Sequence, residues 1–216
     1  MKFLKGFCFF FAVMLSVPAS AQQMREVWLS MPDSLLGYIN NSKRIEAMDY
    51  RDMNLKIDVR NLLGGNTLVD TLTADFISVK LTPSSLLQMK LLLREADTLV
   101  CVVKTVYGPA ADSSIAFYTT SWQPVGEMLF DTDVSPLEQP VEKFVAKPDT
   151  MTVERFNELQ LQFEPRLVSI IMPVSGAELS MQMECVMPLP SSELDAAKLL
   201  IKRRNFKWNG KMFIEC

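Results

Sequence analysis

The stretch Asp97–Trp122, DTLVCVVKTVYGPAADSSIAFYTTSW, constrains the fold of this chain more than any other. Leu99–Tyr107 is dense in Val, Thr and Tyr. Ser113–Trp122 carries Ile115, Phe117, Tyr118, Thr119, Thr120 and Trp122. These residue types fit a pleated surface. Gly108-Pro109 breaks the run between them, and Asp112 and Ser113 can bond locally to a turn backbone. The stretch predicts two long strands joined by a tight turn. Alternation along a strand puts Val100, Val102 and Val106 on one face, and Leu99, Cys101, Val103 and Tyr107 on the other. Both faces are apolar, so the first strand is expected to be covered on both sides. In the second, Ile115 and Phe117 oppose Ala116, Tyr118 and Trp122. A core hairpin is the plain reading; the functional one places Tyr118 and Trp122 on an exposed aromatic platform.

The flanking sequence supplies further elements. Ser30-Met31-Pro32-Asp33 reads as a capped helix start, with Leu35, Leu36 and Ile39 as its apolar face. Asn41–Tyr50 reads as a second helix, Ile45 and Met48 inward and Lys43, Arg44, Glu46 and Asp49 solvated. Leu55, Ile57 and Val59 alternate with charges as in a half-buried strand. Thr67–Leu72, Ile77–Leu81 and Leu87–Leu93 continue an antiparallel meander. Trp122–Phe130 reads as a short edge strand, and Asp131–Asp149, with three prolines, as an extended crossing segment.

Thr152 caps a helix from Val153 to about Gln162, with Val153, Phe156 and Leu159 inward. Arg166–Met172 and Glu178–Met187 read as strands. The second aligns Leu179, Met181, Met183, Cys185 and Met187. Ser192–Asp195 forms a capping box for a helix with Leu194, Ala197 and Ile201 inward, ending in Lys202-Arg203-Arg204. Asn209-Gly210 predicts a two-residue hairpin turn, pairing Trp208 with Lys211 and Phe206 with Phe213, with a cation–π contact from Lys211 or Arg204 on that face. The expected fold is α+β: a single antiparallel β-sheet, a meander, with N- and C-terminal helices packed on it. Residues 22–216 form a single domain in this reading, with a possible sub-boundary at 131–149.

Lys2 and Lys5, the apolar run Phe7–Val17 and Ala19-Ser20-Ala21 make residues 1–21 a signal peptide, cut after Ala21. The chain is therefore expected to be periplasmic or secreted. Cys8 lacks the small residues that precede a lipoprotein cysteine, so release is expected in place of a lipid anchor. Three cysteines remain, Cys101, Cys185 and Cys216. An odd number cannot all pair, and Cys185 with Cys216 is the one pairing to consider. A net charge of −3 argues against a nucleic-acid surface, which would be basic. No later segment is long and apolar enough to span a membrane.

At NLLGG (Asn61–Gly65), LTPSSLLQMKLL (Leu81–Leu92) and VCVVKTVYGPAADSSIAFYTTSWQP (Val100–Pro124), the chain resembles the secreted proteins grouped as domain of unknown function 3256. The likeness covers most of the mature chain and is strongest from about Leu55 to Pro124. It implies export in gut- and mouth-dwelling Gram-negative bacteria. It implies no activity and transfers no catalytic or binding residue.

The chain contains no histidine. That removes Ser-His-Asp and Cys-His nucleophiles and the imidazole ligands of catalytic zinc. The acid pairs Asp75 with Asp97, and Asp112 with Asp131, have no spacing that brings them together. Leu62–Asn66 lacks the spacing of a phosphate-binding loop. Asp131-Thr132-Asp133 lacks the rest of a calcium loop. The methionine row, without histidine, reads as core in preference to a copper site. The sequence thus points to no catalytic residue, cofactor or metal. It favours a non-catalytic envelope or periplasmic binding module for an unknown protein, peptide or glycan, with Tyr118, Trp122 and Trp208 as possible contacts. The alternatives are a carboxylate-dependent hydrolase of envelope or dietary polymers and a small apolar-ligand carrier.

Overall fold

A computed structural model describes residues 20–55, 58–185 and 190–216. The signal-peptide reading up to Ala19, Ile57 of the first alternating run, and Met187 of the methionine row lie outside the described residues.

The first sheet runs in simple sequence order: β1 (Val59–Arg60), β2 (Asn66–Leu72), β3 (Phe76–Thr82), β4 (Ser85–Leu93), β5 (Thr98–Tyr107) and β6 (Ala111–Thr119). The Asp97–Trp122 stretch forms a long ladder, paired from Leu99↔Thr119 to Tyr107↔Ala111, that equals the β4–β5 ladder in length. β5 is interior and covered on both sides, as its two apolar faces predict. Leu99, Cys101 and Val103 enter one core and Val100 enters a second. Ile115 and Phe117 follow the first core; Tyr118 and Trp122 follow the second.

The single-sheet expectation is corrected at this point. The C-terminal half forms its own antiparallel sheet, β7 (Val168–Ile171), β8 (Glu178–Met183), β9 (Arg204–Trp208) and β10 (Phe213–Glu215), in the order β10-β9-β8-β7. Its inner face carries Leu179, Met181, Met183 and Phe206 into the core it shares with β3–β6. Its outer face carries Glu178, Ser180, Asn205 and Lys207. An alternating strand must cover one apolar face, and here the first sheet provides the cover. The seam between the sheets is made by side chains. Asp112 Oδ1 and Ser113 Oγ on β6 accept from the Val168 and Ile170 amides on β7, at 3.4 and 3.0 Å.

The opposite face of the first sheet is covered by α1 (Ser20–Ser30) and α2 (Asn41–Asp52). Met24, Val27, Trp28 and Met31 recur at helical spacing and are all buried. Ser30 therefore ends a helix, where the sequence reading has it start one. Asn40 caps α2, its side chain accepting from the Lys43 amide at 3.1 Å. The cap sets a register that buries Arg44, Ala47 and Met48 and turns Ile45 outward. Arg44, expected on the solvated face, is fully buried. It donates to Ile39 O at 3.0 Å and to Met31 O, pairs with Asp33 at 3.0 Å, and lies over the Trp28 ring. Burial pushes this guanidinium down from its ordinary value, with the Asp33 bond opposing.

Other boundaries move for local reasons. Leu55 is exposed, and among the described residues of this run Val59–Arg60 pairs as β1. Trp122–Phe130 forms isolated bridges, Tyr118↔Pro124 and Phe130↔Phe213, and no edge strand. Asp131–Asp149 is no simple crossing: its two 3-10 turns send Val141, Phe144 and Val145 into the shared core. Thr152 does cap α3 (Val153–Gln160), accepting from Arg155 N at 3.2 Å, but Val153 faces solvent. α4 (Ser191–Lys198) follows Pro190 without a side-chain cap bond. The basic cluster does not end it; Arg204 opens β9 and is buried. The last hairpin has a four-residue loop, with Trp208↔Phe213 in register. Asn209 Oδ1 accepts from the Lys211 and Met212 amides, both at 2.9 Å, and Gly210 takes φ +93°. This side-chain turn outcompetes the two-residue form.

Cys185 and Cys216 are both free thiols, so the one pairing considered does not form. Cys216 is exposed, Cys185 partly buried and Cys101 buried, with burial pushing the Cys101 thiol up. A thiol reagent is therefore expected to modify Cys216 fast, Cys185 more slowly, and Cys101 only after unfolding. Mass spectrometry of the time course checks the order.

Candidate functional site

β4 runs farther than its neighbour β3. β3 begins at Phe76, paired with Lys90, whereas β4 continues through Leu91, Leu92 and Leu93. The space where β3 would continue is a groove of about 460 Å³, lined by Gln23, Ala74, Asp75, Leu91, Leu93, Gly176, Ala177 and Trp208. These residues come from α1, the β2–β3 turn, the end of β4, the β7–β8 loop and the end of β9. The walls are mostly apolar, and Leu93 is 68% exposed. Its size falls within the ordinary range of ligand pockets.

Two polar clamps fix the groove's walls. Trp208 Nε1 donates to Leu93 O at 2.8 Å, tying the second sheet to the end of β4. Lys90, buried on β4, donates to Val174 O at 2.7 Å, pairs with Asp75 Oδ2 at 3.0 Å and lies over the Phe76 ring. Thr73 Oγ1 donates to Asp75 Oδ1 at 3.0 Å, and the Leu91 amide donates to Asp75 O at 2.8 Å. The pair is oriented: its cation is inside, and its half-exposed carboxylate faces the groove.

The predicted contacts do not come together. Trp208 lines the groove, although only 9% of it is exposed. Tyr118 and Trp122 lie on the other face of the first sheet, with ring centroids 5.5 Å apart. They form no exposed platform, because Trp122 is 6% exposed and its Nε1 donates to Val27 O and Ser30 Oγ, both at 3.2 Å. Its role is to hold α1 on the sheet. Leu93 was assigned only to a strand face. Its exposure comes from β4 outrunning β3, an offset the sequence does not mark.

The weighed chemistries meet specific obstacles. Asp75 is engaged by Lys90, Asp97 by Arg94, and Asp112 by the Val168 amide. The hydrogen bond from Arg94 holds Asp97 below the ordinary carboxylate value. Lys43 and Arg204 act likewise on Glu46 and Glu215. A general acid needs a shift the other way. At Leu62–Asn66, Asn61 Oδ1 already takes the Leu63 and Gly65 amides, at 3.1 and 3.0 Å. A phosphate would need those donors. Among the described residues no three Cys, Asp or Glu side chains form a group that could hold a metal ion, and no helix is long and apolar enough to cross a membrane.

Glu215 supplies a pH prediction. Its ordinary value of 4.5 is lowered chiefly by the Arg204 bond. A depressed carboxylate stabilises the fold above its unfolded value, and that contribution is lost as pH falls through the folded one. Glu215→Gln is therefore expected to be less stable than wild type at neutral pH, with the gap closing below about pH 4. Urea midpoints measured from pH 7 to pH 2 check this.

The solved structure of a domain of an uncharacterized protein from Porphyromonas gingivalis W83 shares the fold. Its TM-score is 0.70 at 20% identity, over 90% of this chain and 98% of that one. No curated protein matches the chain. The family model described as "Protein of unknown function (DUF3256)" matches residues 16–213.

Proposed function

We propose that this chain, which belongs to the DUF3256 family of proteins of unknown function, is an exported, non-catalytic binding module whose site is the groove between its two sheets. The observation that carries this reading is the groove itself: an apolar cleft of about 460 Å³ whose walls are pinned by the Trp208–Leu93 and Lys90–Val174 bonds. A preformed cleft with few polar groups binds without having to order its own walls. Export is supported by Lys2 and Lys5, the apolar run Phe7–Val17 and Ala19-Ser20-Ala21. Of the three aromatic residues singled out in the sequence, Trp208 lines this groove, which supports it as the ligand contact. The apolar lining also suits a second reading, carriage of a small apolar ligand.

Ala177→Leu fills the groove without touching either clamp. Anilinonaphthalenesulfonate, an apolar fluorescent probe, is expected to saturate the wild-type protein and to bind Ala177→Leu about tenfold more weakly. Equal binding by both proteins counts against the groove as the site. Turnover of nitrophenyl glycosides that a single Asp or Glu substitution abolishes would replace the binding reading with the hydrolase.

A further inference from the structure

The groove holds an unused backbone donor as well as an apolar wall. The Arg94 amide donates to Asp97 O at 2.9 Å and closes the β4–β5 turn. Amides along a strand point alternately to its two neighbours, so those of Leu91 and Leu93 point away from β5. The Leu91 amide is taken by Asp75 O at 2.8 Å. The Leu93 amide, three residues beyond the Lys90 that pairs with the start of β3, finds no acceptor among the described residues. On this edge Leu93 O is already taken by Trp208 Nε1, so what Leu93 leaves free where the groove lies is its amide.

Resting on the groove as the binding site, we propose that its occupant is an extended peptide segment of a partner protein, added beside β4 in line with β3. A peptide carbonyl accepts from the Leu93 amide. The apolar side chain next to it enters the space between Leu91, Ala177 and Trp208. A neighbouring Lys or Arg meets the outward carboxylate of Asp75, whose paired cation, Lys90, is buried behind it. Main-chain bonding with a side-chain pocket is how sheet edges recognise peptides. A glycan would need many more polar partners than Gln23 and Asp75 offer. A free acyl chain would leave the amide without an acceptor.

The test is a titration of the nitrogen-15-labelled chain lacking residues 1–21, followed by NMR. Three probes are added separately: acetyl-Lys-Leu-Lys-amide, acetyl-Glu-Leu-Glu-amide and laurate. The Lys peptide is expected to bind, to move the Leu93 amide proton downfield, and to bind about threefold more tightly than the Glu peptide. Leu93→Ala keeps the amide and Leu93→Pro removes it, on the side where a strand edge tolerates proline. Leu93→Pro is expected to bind the Lys peptide about fivefold more weakly than Leu93→Ala. Equal binding by the two variants overturns strand addition, and preference for the Glu peptide overturns the role of Asp75. Binding of laurate alone, lost in Ala177→Leu, overturns the peptide occupant and leaves the groove as the site. No binding of any probe overturns both.

Discussion

Replacing Arg204 by alanine is expected to destabilise the protein by about 3 kcal/mol. Arg204 is buried at the start of β9. Its guanidinium forks onto Glu215 at 2.8 and 2.6 Å and donates to Gln139 Oε1 at 2.5 Å. It lies over two rings, Phe144 at 5.3 Å and Phe206 at 5.1 Å. One side chain thus joins β9, the last strand and the 3-10 segment. Alanine leaves Gln139 buried without its partner and opens a gap between the two rings. The figure sits at the low end for a broken buried pair because the Glu215 carboxylate stays partly in water. Arg204→Met, which keeps most of the stem, is expected to lose clearly less. Urea unfolding of the three proteins decides it. An alanine variant within about 1 kcal/mol of wild type, no more than an exposed ion pair contributes, would remove Arg204 as a structural clamp.

Trp122→Ala is expected to destabilise by about 3–5 kcal/mol. The ring is buried between Tyr118 and α1, and its Nε1 serves both Val27 O and Ser30 Oγ. The loss combines a large cavity with the two indole hydrogen bonds to α1, where Val27 O keeps only its bond from Ser30 Oγ. Trp122→Phe is expected to lose about 1–2 kcal/mol, chiefly the hydrogen bonds. In both variants the α1 amides should exchange faster than those of β5, because Trp122 ties that helix to the sheet. Uniform exchange across α1 and β5 would show that α1 is held by other contacts.

Strand content was written plainly in the sequence, because period-two alternation and short polar or Gly- and Pro-containing breaks mark the first six strands. The β5 faces were legible for the same reason: a strand apolar on both sides has to lie between two cores. The second sheet was not legible. β7–β10 alternate like any half-covered strands, and alternation says nothing about which partner covers them. α1 was hidden by position, since Met24, Val27, Trp28 and Met31 follow the leader-like segment directly. Arg44 read as a solvated charge, and Arg204 as a basic helix end or a cation–π donor on the last hairpin, because each is buried through partners distant in sequence or supplied by backbone carbonyls. The groove was legible only at Trp208. Its other walls depend on β4 ending three residues beyond β3, an offset set by the turn at Thr73–Asp75.

The most direct measurement is amide and indole hydrogen exchange by NMR, on the chain lacking residues 1–21, with and without acetyl-Lys-Leu-Lys-amide. The account predicts that the Trp208 indole exchanges slowly in both states. It predicts that the Leu93 amide exchanges fast alone and slows when the peptide is present. An indole that exchanges at the rate of a free side chain, or a Leu93 amide already protected without peptide, would contradict it.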